Sequence, residues 1–212
     1  MVTNMLKFLL NKKGIVSWLL SQIALILATG ILLASIASIT FYSDWKKEAE
    51  IKAIASELAS WIYTMDLRVE ENITKFFFPI KDFYYNVSIS TDYIVIERYD
   101  GRIKDTIRIS HPLFIKPYVV RENLDIEWKN SEELHEKLKE KYGMNGNAGE
   151  EISIFLKNDI KNYIEEELDK ISVEIAQKPL QIDIDKPLIL ENCIIHFDDA
   201  SILNVIFIYQ EV

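Results

Sequence analysis

The sequence predicts an α+β protein: a long N-terminal helix, membrane-spanning and then amphipathic, followed by a mainly antiparallel β head with a helical insert. Three observations carry that reading. The 212-residue chain has no charged side chain between Lys13 and Asp44. Apolar residues then recur at steps of three and four as far as Val69. Beyond Pro79 the period shortens to two, the alternation of a half-buried strand.

Charge follows the same division. The chain holds 33 acids and 24 bases, a net of −9. Every acid lies at Asp44 or later, and Lys7, Lys12 and Lys13 are the only charges before it. Residues 1–43 thus carry +3 and residues 44–212 carry −12. The acidic part argues against nucleic acid as a partner, since that needs a basic face to neutralise phosphate. A single cysteine, Cys193, excludes an intramolecular disulfide.

The apolar run Ile15–Tyr42 has 28 residues, about 42 Å as a helix against the roughly 30 Å of a bilayer's hydrocarbon core. It exceeds the apolar region of a secretory signal, although Ser35-Ile36-Ala37 would serve as a small-residue cleavage site. A buried core helix would need a far larger protein around it. The expected environment is the lipid bilayer. Lys46, Lys47 and Lys52 after the span balance the three lysines before it, so base counting gives no orientation. A 13-residue tail followed by a large acidic part suggests a single-pass protein of the cell membrane, N-terminus cytoplasmic and C-terminal domain extracytoplasmic. Asn72-Ile73-Thr74 and Asn86-Val87-Ser88 are N-glycosylation sequons compatible with that export.

Past Asp44 the apolar positions Ile51, Ile54, Ala55, Leu58, Trp61, Ile62, Met65 and Val69 line one helix face, opposite Lys47, Glu50, Lys52, Glu57 and Ser60. No Gly or Pro interrupts residues 31–78, so one helix is expected from about Ile15 to about Glu71, with a kink near Asp44 as the alternative. Within the span, Gly30/Ala34 and Ala34/Ser38 have the small-xxx-small spacing that lets helices approach closely.

Asn11-Lys12-Lys13-Gly14 followed at once by this apolar helix resembles the leader of archaeal type IV pilin-like proteins, the class III signal-peptide proteins. The resemblance covers roughly residues 1–70. It implies cleavage after Gly14 by a prepilin-type peptidase, with Ile15 as the first mature residue, and assembly with like subunits or other pilin-like proteins through the N-terminal helix. Where bacterial pilins carry a glutamate five residues after the cut, this chain has Leu19. The organisation expected is a basic leader at 1–14, a transmembrane helix at 15–43, its amphipathic continuation at 44–78 and an exported head at 79–212.

In the head, residues 86–90, 93–98 and 103–109 read as strands, with Asp100-Gly101 as a hairpin turn. Residues 113–120 read as a further strand, which Pro117 places at an edge. Asn130 and Glu133 form a capping box for a helix ending at Gly143. A second helix is expected from near Gly149 to about Lys170, with Ile152, Phe155, Leu156, Ile160, Tyr163, Ile164 and Leu168 inward. Strands return at 180–185, 188–197 and 202–210. The helical insert, about 130–170, is a candidate for a separate lobe.

Motifs for chemistry are sparse. The loop Gly143–Gly149 lacks the Gly-Lys-Ser/Thr ending of a phosphate cradle and carries Glu150 and Glu151 where a phosphate would sit, so it reads as a flexible connector. Asp183 and Asp185, with His196, Asp198 and Asp199, are an oxygen-rich candidate for a cation, but in a strand Asp183 and Asp185 alternate with Ile182 and Ile184 and face solvent. His111, His135 and His196 have no zinc spacing. Cys193 in an apolar run reads as a small buried thiol, and Glu165-Glu166-Glu167 as a solvated helix face. The expectation is no enzyme, no cofactor and no metal site. Two functions remain: a pilin-like structural or minor filament or assembly subunit, or a non-polymerising tethered domain that binds an extracellular ligand or envelope partner.

Overall fold

The computed structural model describes the backbone of residues 2–100, 103–121 and 124–211, and side chains within 16–39, 41–99, 107–121 and 124–211. No proline precedes Pro79, and the chain forms one helix, α1 (Val2–Asp66). Two units divide the chain, Met1–Glu48 and Ala49–Val212. In the first, the side chains of the span stand in the open, from Val16 and Trp18 to Tyr42 and Trp45.

The second unit begins with the amphipathic end of α1. Ile51, Ile54, Ala55, Leu58, Ile62 and Met65 are buried, the spacing expected of one face. The helix stops at Asp66, short of Glu71, although Val69 keeps the period. The reason lies in two asparagines on later strands. The Asn204 amide donates to the carbonyls of Asp66 and Arg68, and that of Asn192 donates to the Glu70 carbonyl at 3.4 Å. These bonds satisfy the backbone that helix continuation would otherwise serve. The chain then enters β1 (Asn72–Phe76), which lies in the region expected to stay helical to 78.

Two four-stranded sheets follow. With β2 (Tyr84–Ile89), β3 (Tyr93–Asp100), β4 (Ile103–Pro112), β5 (Tyr118–Val119), β6 (Leu180–Ile182), β7 (Leu188–His196) and β8 (Ile202–Tyr209), the orders are β1-β7-β8-β5 and β4-β3-β2-β6. All pairings are antiparallel except β5 with β8. The expected β3–β4 hairpin forms and closes at Asp100↔Ile103, so Asp100 belongs to the strand rather than to the turn, and residues 101–102 lie outside the described residues. The strand expected at 113–120 shrinks to two residues after Pro117 and occupies a sheet edge, where a missing N–H costs least.

Helix α2 (Ser131–Tyr142) has the expected cap: Asn130 Oδ1 accepts the Glu133 N–H at 2.9 Å. The Glu133 carboxylate takes the Lys129 N–H at 2.8 Å, one residue before the usual partner. Gly143 ends the helix at φ 81°. Helix α3 (Lys157–Gln177) starts eight residues later than expected and runs seven further. Its buried stripe of Ile160, Ile164, Ile171 and Ile175 continues until Pro179 removes the next donor. Ile152 is buried instead by bridging Phe197, and Phe155, expected inward, is 91% exposed on a short 3₁₀ turn.

The helical insert is not a separate lobe. Leu134, Leu138, Ile160 and Ile164 share one core with α1 and the strands. Trp128 stacks on Tyr118 of β5 with ring centroids 5.4 Å apart and meets Tyr163 of α3 edge-on at 5.1 Å.

Candidate functional site

Two features stand out: an uncovered apolar helix and a buried polar cluster.

Among the described residues, Val16–Asp66 is the one helix long and apolar enough to cross a membrane, and none of its most apolar window is buried. Leu25, Ile26, Leu27, Ile31, Leu32 and Leu33 are each at least 59% exposed. Such a surface is unstable in water and stable in lipid or against other apolar helices. The backbone of Gly14 and Ile15 lies within α1, and their side chains lie outside the described residues. Ser21, Thr29, Ser35 and Ser38 each donate to the carbonyl four residues back, which lets hydroxyls sit at membrane depth without an unsatisfied donor. The two sequon asparagines, Asn72 and Asn86, are both exposed.

The polar cluster is built on β7, a strand buried on both faces from Leu188 to Ile195. Side chains two apart on a strand, about 6.6 Å, match side chains four apart on a helix, about 6 Å. That match aligns α2 with β7 at two points. Glu191 meets Ser131, accepting its N–H at 3.0 Å and its hydroxyl. Cys193 meets His135, with Sγ 3.3 Å from Nε2. The second Glu191 oxygen accepts the Tyr209 hydroxyl at 2.7 Å, so this buried carboxylate is fully bonded at the helix N-terminus.

Strand pairing supplies the third member. β1 pairs with β7 at Asn72↔Asn192, and one further residue along that register brings Glu71 opposite Cys193. Glu71 Oε1 lies 2.7 Å from His135 Nε2 and accepts the Ile194 N–H at 3.1 Å. Ligand atoms of Glu71, His135 and Cys193 lie within 4.8 Å of one another. The Cys193 thiol is pushed up, by burial first and then by the Glu71 and Glu191 carboxylates.

The other imidazole nitrogen is fixed by the loop after α2. His135 Nδ1 is 2.7 Å from the Asn145 carbonyl, which only accepts, so Nδ1 carries the proton. That loop is not the flexible connector expected. The Gly146 carbonyl accepts the His196 N–H at 2.8 Å, and the Gly146 N–H donates to Glu150 at 3.0 Å. Gly146 sits at φ 79°, and a Cβ there would stand 2.8 Å from Ile195 Cγ2.

Acid and thiol converge on the same nitrogen, Nε2. In a nucleophilic triad they occupy opposite nitrogens, so that the acid orients the ring while the other nitrogen takes the thiol proton. The arrangement is not a thiol nucleophile's. Beside it opens a cleft of about 410 Å³, lined in part by Glu70, Glu71, Asn147, Ala148 and His196. The Glu71 side chain is 44% exposed there.

The remaining sequence candidates go elsewhere. Asp183 Oδ1 accepts the Asp185 N–H at 3.1 Å, Asp198 the Ile154 N–H at 2.9 Å, and Asp199 the Ser201 N–H at 2.9 Å. These are turn and cap bonds. His111 sits in β4 opposite Ile94. Glu167 is buried and paired with Lys170, so the three-glutamate run is not wholly solvated. Comparison of the chain with family models, with curated proteins and with solved structures gives no match.

Proposed function

We propose that this is a single-pass membrane-anchored extracytoplasmic protein, a pilin-like structural or minor subunit of a surface filament or its assembly machinery. The observation that carries this reading is the uncovered apolar stretch of α1, continuous in sequence with a helix whose later turns enter the core of the acidic head. In the bilayer, that helix stores the subunit. In a filament, the same surface packs against the helices of other subunits. Gly30/Ala34 and Ala34/Ser38 offer the close approach that such packing uses. The head, with both sequons exposed, faces outward.

Leu19, at the place where bacterial pilins carry a glutamate, favours the second reading, in which the helix is only a tether and the head binds an envelope partner as a monomer. The native N-terminus distinguishes the two. Mass spectrometry of protein from its own membranes should show a chain beginning at Ile15. A chain that keeps the leader, with no filament fraction, rules out the pilin-like reading and leaves the tether.

A further inference from the structure

We propose that Glu71, His135 and Cys193 bind a divalent transition-metal ion of the zinc class, with a solvent molecule from the adjoining cleft as fourth ligand. Four observations converge on this.

The first is the contact between His135 Nε2 and Glu71 Oε1 at 2.7 Å. With Nδ1 donating to the Asn145 carbonyl, a neutral ring turns the Nε2 lone pair toward a carboxylate that also carries lone pairs. Something positive must lie between them, a proton or a metal. The second is the Asn145 contact itself: a metal-ligating histidine donates its other N–H to a carbonyl or carboxylate, which sets the tautomer. The pinned loop around Gly146 holds that carbonyl in place.

The third is distance. A tetrahedral zinc with ordinary bond lengths separates a nitrogen from an oxygen ligand by about 3.3 Å and a nitrogen from a sulfur ligand by about 3.5 Å. The structure has 2.7 Å and 3.3 Å, so entry of the ion requires Glu71 to withdraw by about 0.6 Å. Glu71 is the exposed member, on a connector rather than inside a helix. The fourth is charge and access. A thiolate and a carboxylate neutralise a dication, and as the ion enters both the thiol proton and the proton shared by Nε2 and Oε1 leave to solvent. The cleft beside Glu71 supplies the path and the room for water. A nitrogen, sulfur and oxygen set selects zinc-like ions over magnesium or calcium. The bound ion ties the connector after α1 to both α2 and β7.

Cobalt(II) tests this directly, because a thiolate ligand gives it an intense charge-transfer absorption. Full-length protein in detergent, stripped with chelator, should take up one Co²⁺ per chain with that absorption, and Zn²⁺ should displace it. Cys193→Ser, nearly isosteric, should abolish the charge-transfer band. Glu71→Gln should keep the band and weaken Co²⁺ binding by about tenfold or more. Circular dichroism of the metal-free variants controls for folding. Failure of the wild-type protein to bind Co²⁺ stoichiometrically overturns the proposal, and so does a band that survives Cys193→Ser. Either result would assign the proton between Nε2 and Oε1 as the permanent occupant.

Discussion

Gly146 shows how one residue sets the geometry of others. Its φ of 79° and the 2.8 Å approach of Ile195 leave no space for a side chain. Gly146→Ala should therefore destabilise the head by about 1–3 kcal/mol, measured by denaturant unfolding in detergent. Titration gives a second residue-scale expectation. Burial pushes Tyr85 and Tyr163 up from 10.0 to about 12. Phenols that hold their protons more tightly when folded contribute stability that is full below pH 10 and is lost as pH rises toward about 12. The unfolding free energy should fall across that window, and Tyr85→Phe should flatten the slope; an unchanged slope would exclude Tyr85 as a source. The polar cluster was not legible at this scale. Glu71 and His135 are 64 residues apart, and His135 and Cys193 are 58 apart. No local spacing links them. Only the β1–β7 register and the seating of α2 on β7 bring them together, and both are tertiary facts.

At the scale of elements, period and punctuation explain most of what formed. The cap at Asn130, the stop at Gly143 and the edge position after Pro117 all follow from local chemistry that acts the same way in any fold. The departures occur where a remote partner overrides the local pattern. Asn192 and Asn204 end α1 before its apolar period ends. The Ile152–Phe197 bridge and the Ile154 N–H bond to Asp198 draw residues 152–154 toward the β7–β8 turn, so α3 begins only at Lys157. This has a consequence for two phenylalanines. Phe155→Ser, at a fully turned-out position, should change stability by less than about 0.5 kcal/mol, whereas Phe197→Ala, from a buried ring, should cost about 3–5 kcal/mol. A large loss at Phe155 in detergent would mean that this ring has a partner, as an exposed aromatic at a subunit contact would.

For the whole molecule, the division visible in the charges recurs in three dimensions. In the unit Met1–Glu48 the described apolar side chains, from Val16 to Trp45, are exposed, and the unit Ala49–Val212 encloses a continuous core. Hydropathy makes the first legible without any structure, since a charge-free run longer than a bilayer is thick needs no tertiary information. The head's internal assembly, and the cluster within it, depend on long-range pairing. The proposed extracytoplasmic position of the head can be tested by labelling, because Cys193 is buried. Glu165 lies exposed on α3, in a surface ion pair with Lys161 that contributes little. With Glu165→Cys as the single accessible thiol, a membrane-impermeant maleimide should label the protein on intact cells to the same extent as after lysis. Labelling that appears only after lysis would place the head in the cytoplasm and overturn the proposed topology.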